Sequence, residues 1–253
     1  MRVDATSYAD AAQRAVTWAR EPHGRYVCAA NVHMVMEAWD DPSFQAIVNA
    51  ADLVTPDGMP LVWTLKRLGV PDATRVYGPD LTLHVCEFAA KEGVPVGFYG
   101  GRQAGLEPMI ARLRGRYPML RVNYAESPPF RSLTVEEEAS TTERIRASGA
   151  RILFVGLGCP KQERWMAKQR AHLPLVQVGV GAAFDFHAGL VRQAPPALQR
   201  VGLEWAFRLC MEPRRLAGRY LRHNPRFAWQ LFLQLRREAQ RANRGSGSQP
   251  GAP

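Results

Sequence analysis

Arg151-Ile-Leu-Phe-Val155-Gly156-Leu-Gly158-Cys-Pro160-Lys161-Gln-Glu-Arg-Trp-Met-Ala-Lys-Gln-Arg170 decides the fold. The apolar run 151–155 is the length of a strand and too short for a helix. Two glycines close it. A helical pattern opens just after Pro160, whose missing N–H costs little in a first turn. Strand, glycine turn and helix, in that order, argue for an α/β domain.

Outward from that stretch the same alternation repeats. Strands are expected at 25–30, 52–54, 96–99, 120–123, 151–155 and 175–178. Helices are expected at 8–20, 33–39, 58–68, 79–91, 105–116, 135–147 and 161–170. This spacing predicts a mostly parallel sheet flanked by helices. Pro79 suits a first turn, as Pro160 does, and Gly93 and Gly149 fall where left-handed helix caps belong.

After Gly189 the strand signal stops. Ala194-Pro-Pro196 reads as a hinge, followed by helical stretches near 201–211, 213–223 and 225–243. The expected organisation is an α/β catalytic domain over 1–191, an Arg-rich helical appendage over 192–244, and a Gly/Ser/Pro-rich disordered tail over 245–253.

Charge sharpens that division. The 253-residue chain carries net +10. From Arg192 onward there are twelve arginines, no lysine and three acids (Glu204, Glu212, Glu238), which accounts for nearly all of it. A basic terminal quarter on a near-neutral body points to a polyanionic partner: nucleic acid, anionic headgroups or a diphosphate. No apolar run approaches the ~18 residues of a membrane span, and residues 1–20 lack a signal-peptide pattern, so a cytoplasmic location is expected. Cys28, Cys86, Cys159 and Cys210 are far apart, which predicts buried free thiols and neither a zinc site nor a disulfide framework.

Ligands of open α/β sheets bind beyond the carboxyl ends of strands. Four loops lie there: Asn31, 55–58, 156–162 and 179–185. Asp57 is the sharpest residue in them. It suits a general base at a strand end, and a helix N-cap is the plain alternative. Gly156-Leu-Gly158 and Gly179-Val-Gly181 each follow a strand, but neither completes a dinucleotide fingerprint, and no P-loop is present. Asp40-Asp41 before Pro42 reads as turn chemistry. Asp185 and His187 would share one side of an extended segment, too few ligands for a metal site. In the appendage Arg208, Glu212, Arg215, Arg219, Arg222 and Arg226 step by 4, 3, 4, 3 and 4. Pro213 and Pro225 are expected to interrupt the helix, leaving Arg215, Arg219 and Arg222 aligned. Arginine throughout favours forked binding of phosphate oxygens. The last helix sets Phe227, Trp229, Leu231, Phe232, Leu233 and Leu235 before Arg236, Arg237, Arg241 and Arg244, a pattern suited to a membrane interface or to packing on the body.

Several blocks, in order over residues 25–223, resemble the WecG/TagA/CpsF glycosyltransferases. They are Asn31, Thr55-Pro-Asp-Gly-Met-Pro-Leu-Val, Arg75-Val-Tyr-Gly-Pro-Asp-Leu, Gly97-Phe-Tyr-Gly-Gly, Phe154-Val-Gly-Leu-Gly-Cys-Pro-Lys-Gln-Glu, Val178-Gly-Val-Gly-Ala-Ala-Phe-Asp-Phe-His-Ala-Gly, and Gly202-Leu-Glu-Trp-Ala-Phe-Arg-Leu with Glu212-Pro-Arg-Arg-Leu. The resemblance implies a Rossmann-like body and inverting transfer without a metal or other cofactor. It implies a UDP-sugar donor and a polyprenyl-diphosphate-linked saccharide acceptor. It further implies an appendage on an anionic membrane surface, which makes the protein peripheral on the inner face. By motif, Asp57 resembles the base. Asn31, Arg75, Gln162 and Asp185 resemble donor-pocket residues, and Arg208, Arg215 and Arg219 the arginines that steady the leaving diphosphate. Ala29 stands where many members have Thr, and Gln193 where many have Arg. A homo-oligomer is compatible with the sequence.

Two other classes are weighed. A nicotinamide-dependent oxidoreductase would use Gly179-Val-Gly181, but the third glycine is missing. A nucleic-acid-binding module would use the arginine-rich end. The neutral body with several ligand loops argues against a nucleic-acid partner.

Overall fold

The computed structural model describes residues 1–246. Its six strands are β1 (Arg25–Ala30), β2 (Leu53–Pro56), β3 (Val96–Gly100), β4 (Val122–Glu126), β5 (Ile152–Gly156) and β6 (Val176–Gly179). They form one all-parallel sheet in the order β2-β1-β6-β5-β3-β4. Alternate strand residues point to opposite faces, and both faces are buried. Val27, Phe98, Ile152, Phe154 and Val176 join the core on one side. Tyr26, Cys28, Tyr99, Leu153 and Val155 join the core on the other. This explains why the inner strands read as continuous apolar runs, whereas edge strand β4 alternates between half-buried and exposed residues.

The body helices are α1 (Tyr8–Trp18), α2 (Val32–Asp40), α3 (Pro42–Asn49), α4 (Met59–Arg67), α5 (Gly78–Lys91), α6 (Gln103–Arg116), α7 (Val135–Ala147), α8 (Lys161–Gln169) and α9 (Ala183–His187). The appendage adds α10 (Pro196–Arg200), α11 (Glu204–Met211) and α12 (Pro213–Ser246). Among the described residues no strand follows β6.

Register sets the functional rim. Cys28 of β1 lies opposite Val54 of β2 and Gly179 of β6, and Gly179 in turn pairs with Val155 of β5. The carboxyl ends of these four strands therefore align. β1 and β6 are neighbours, yet the chain leaves β1 toward one edge and reaches β6 from the other. A crevice opens above such a seam.

Five expectations need correction. Asp40-Asp41 does not form a free turn. Asp40 ends α2, and the Asp41 carboxylate caps α3 by accepting the Ser43 and Phe44 N–H groups. Residues 183–187 form a short helix, not an extended segment. His187 there bonds the Pro79 carbonyl at 2.9 Å, away from any shared site with Asp185. Pro225 does not break α12, which runs through it to Ser246, so the arginine row is interrupted only at Glu212. Cys28 and Cys86 are buried free thiols, but Cys159 is half-buried and Cys210 exposed. Of the expected tail, Gly245 and Ser246 end α12; 247–253 lie outside the described residues.

Candidate active site

Asp57 sits one residue past β2. It does not cap α4: the N-cap position falls to Gly58, with no side-chain hydrogen bond. The Asp57 carboxylate instead accepts the Gly78 N–H at 3.2 Å and the Asn31 amide at 3.4 Å. Gly78 opens α5, so the carboxylate meets the positive end of a helix dipole. Asn31 caps α2 through its Oδ1, which accepts the Met34 N–H and leaves its amide facing Asp57. Burial raises the Asp57 pKa to about 6, against the opposing pull of Arg75; Glu204 adds to the rise. A base with that pKa is poised for proton transfer near neutral pH.

Two cavities meet at this carboxylate. One, of about 270 Å³, lies above the seam and is lined by Gly158, Gln162, Gly179, Gly181, Phe186 and Arg215. The other, of about 430 Å³, lies between α4 and the appendage. Met59, Trp63, Trp205, Tyr220, Phe227 and Leu231 give it apolar walls. Asn31, His33, Asp57, Tyr77, Arg208 and Arg219 line both.

The glycine-rich cavity exists because its loops carry no side chains where they approach. A Cβ at Gly179 would come within 2.7 Å of Gln162 Nε2 and Met166 Cε. Gly181 has φ +55°, a conformation glycine adopts freely. Gln162 straps the two loops together: its Oε1 accepts the Gly181 N–H at 3.0 Å, and its Nε2 donates to Glu163 at 2.7 Å. Glu163 is fully buried, and burial raises its pKa.

The appendage arginines form the shared roof. The Nε atoms of Arg208 and Arg219 are buried without a hydrogen-bond partner. Arg208 lies over the Phe186 ring at 5.4 Å. Arg215 pairs with Glu212 at 2.6 Å. Four of the expected site residues, Asn31, Asp57, Arg208 and Arg219, are thus brought to one wall, with Gln162 and Arg215 in the glycine-rich cavity.

Two expected residues lie elsewhere. Arg75 lines the aromatic cavity. Its guanidinium is engaged by the Asp57 carbonyl at 2.5 Å, Gln199 at 3.3 Å and Glu204 at 2.5 Å, and it stacks on Tyr77 at 4.1 Å. Asp185 lines neither cavity; it faces Arg102 at 3.8 Å, and its Oδ1 is buried without a partner. Sequence reasoning missed His33, Tyr77 and Glu204. The last two stand inside quoted motif blocks, the only signal that could have found them.

Comparison with known proteins agrees with this arrangement. The sequence model described as "Glycosyl transferase WecG/TagA/CpsF family" matches residues 1–241. A curated relative from Bacillus spizizenii (strain ATCC 23059 / NRRL B-14472 / W23) is 31% identical over 201 residues, covering 79% of this chain and 76% of its own. It is named N-acetylglucosaminyldiphosphoundecaprenol N-acetyl-beta-D-mannosaminyltransferase. With nearly its whole length matched, and its motif residues gathered on one rim, the chain belongs to the WecG/TagA/CpsF family of glycosyltransferases.

Proposed function

We propose that the protein transfers a hexose or N-acetylhexosamine-type sugar, such as N-acetylmannosamine, from a UDP-sugar to a saccharide on polyprenyl diphosphate, as a step in building a cell-envelope polymer. The single observation that carries this reading is the place of Asp57 on the common wall of two chemically different cavities. The glycine-rich cavity suits a nucleotide diphosphate, with backbone approach and arginines at hand. The aromatic cavity suits a sugar carried on an apolar chain.

The step is one in-line displacement. The acceptor hydroxyl oxygen bonds to the anomeric carbon of the donor as the bond from that carbon to the UDP oxygen breaks. The hydroxyl proton passes to Asp57. The electron pair leaves with UDP, whose growing negative charge is met by Arg208, Arg215 and Arg219. Preorganised cations of this kind supply the stabilisation that a divalent ion supplies in other transferases.

A membrane-facing appendage supports the lipid-linked acceptor. Among the described residues, seven of the thirteen exposed large hydrophobics lie after residue 192. Leu221, Trp229 and Phe232 share one exposed face of α12, opposite buried Leu216 and His223, with exposed Arg236 and Arg237 beyond. An apolar stripe beside arginines fits an anionic bilayer surface. Among the described residues no helix is long and apolar enough to cross a membrane. The apolar stripe and its arginines support a peripheral location on the inner face of the cell membrane.

The test is product mass. The protein is incubated with a short polyprenyl-diphosphate N-acetylglucosamine and a panel of UDP-sugars. Mass increase by one sugar with release of UDP is expected. No transfer from any UDP-sugar, with nicotinamide turnover instead, would replace this reading with the oxidoreductase.

A further inference from the structure

His33, Glu37 and His223 converge where the appendage meets the body. His33 and Glu37 are four residues apart on α2 and share one face, and His223 arrives from α12. One ligand atom from each lies within 4.8 Å of the others. The Nε2 atoms of His33 and His223 stand 3.5 Å and 3.6 Å from Glu37 Oε1. The two rings meet edge to face, with centroids 5.1 Å apart.

This grouping is unsatisfied as it stands. If each Nε2 carried its proton, the contacts to Glu37 would be longer than good hydrogen bonds. If each Nδ1 carried it, two lone pairs would face a carboxylate. His223 Nδ1 is also buried without a partner, on a residue that is 4% exposed. A cation at the centre would accept one lone pair from each of the three groups.

We propose that His33, Glu37 and His223 form a binding site for a first-row divalent cation, Zn²⁺ in the first instance, that fastens α12 to α2. Two imidazole nitrogens and one carboxylate oxygen suit zinc, and water fills the remaining position. Tetrahedral bonds of ~2.0–2.1 Å put ligand atoms roughly 3.3 Å apart. The two contacts to Glu37 already match to within a few tenths of an ångström, and the ligand atoms of His33 and His223 lie within 4.8 Å of each other. Arg219, Arg222 and Arg226 stand near the site, and Glu37 and Asp40 oppose them. The role is a staple. Ordering α12 also orders Arg219, which follows one turn before His223 on the same helix. This inference does not depend on which sugar is transferred.

The test uses the full chain without a histidine tag, stripped of metal and titrated with Zn²⁺ against a chromophoric chelator. One equivalent is expected, with slower hydrogen exchange across α12. Co²⁺ in place of Zn²⁺ should give the visible absorption of a low-coordinate nitrogen–oxygen site. His33→Ala and His223→Ala should each weaken binding by at least the ~10–100-fold that an outer-shell change costs. Glu37→Gln keeps the shape, so weaker binding in that folded variant tests the site even if a histidine variant misfolds. Wild-type binding no tighter than that of Glu37→Gln, or exchange in α12 unmoved by Zn²⁺, would overturn the proposal in favour of a water-bridged cluster.

Discussion

Arg75 and Glu204 form an ion pair across 129 residues of chain, at 2.5 Å, with side chains only 16% and 11% exposed. It is one of the links that hold the appendage over the rim. Arg75 grips the Asp57 carbonyl with its Nε and the appendage with its terminal nitrogens, so it positions the proposed base through its backbone, away from the carboxylate. Removing one partner of a buried pair strands the other charge, at a cost of ~3–5 kcal/mol. Arg75→Ala should therefore speed hydrogen exchange in α10 and α11 far more than in the sheet. Arg75→Lys should restore little, since one ammonium cannot serve three acceptors. Equal exchange in wild type and Arg75→Ala would show that the pair does not hold the appendage.

The raised pKa of Asp57 has a cost in stability with a definite sign. The folded state holds the proton up to about pH 6, whereas an unfolded Asp releases it near 3.8. Between those values the native state binds more protons, so stability falls as pH rises, and the full cost is present above about 6. A shift of this size amounts to at most about 3 kcal/mol. Asp57→Asn should thus raise the Tm at pH 7.5 and leave it little changed at pH 4, as measured by calorimetry at both values. A lower Tm at pH 7.5 would mean the carboxylate is stabilising there.

Arg208 and Arg219 have buried Nε donors with no protein partner, so their loss should spare the free protein. One guanidinium ~4 Å from a phosphate charge is worth roughly 4 kcal/mol at an effective dielectric near 20. Arg208→Ala and Arg219→Ala should each lower kcat by ~10²–10³-fold, the scale seen when a transition-state donor is removed. Arg226 is the contrast. It pairs with Asp40 at the surface, and Arg226→Ala should leave both Tm and kcat little changed.

The membrane face proposed for α12 is testable by partition. Trp229→Glu with Phe232→Glu should reduce binding to vesicles containing phosphatidylglycerol, with little change in Tm because both rings are exposed. Raising the salt should weaken wild-type binding as arginine attraction is screened. Unchanged partition of the double variant would remove α12 as the membrane face.

Much of this was legible in the sequence because strands buried on both faces announce themselves as short apolar runs; edge strand β4, only half-buried, is the one whose bounds fall furthest from expectation. α3 was missed because an Asp before Pro suits a turn and a helix cap equally, and only the Phe44 side packing into the core chose the cap. Pro225 was expected to end a helix; α12 runs on because packing against α2 outweighs one lost hydrogen bond. At the site, Asn31 and Asp57 were legible from their places at strand ends and Arg208 and Arg219 from their helical spacing, and the resemblance added their roles. Glu204 stands inside a quoted motif block, but it comes from a separate helix, and only the fold pairs it with Arg75. Asp185 shows the reverse limit: its motif marks it, yet its carboxylate turns toward Arg102 outside both cavities.

The most direct measurement is the single-turnover rate of Asp57→Asn with a UDP-sugar and a polyprenyl-diphosphate acceptor, alongside UDP affinity. The substitution keeps the acceptor oxygen for the Gly78 N–H, gives up the weak 3.4 Å contact from the Asn31 amide, and removes the proposed base. Transfer slowed by ~10²–10⁴-fold with UDP affinity unchanged is the predicted result. Transfer at the wild-type rate would contradict the account, because the carboxylate where the two cavities meet would then have no part in the chemistry.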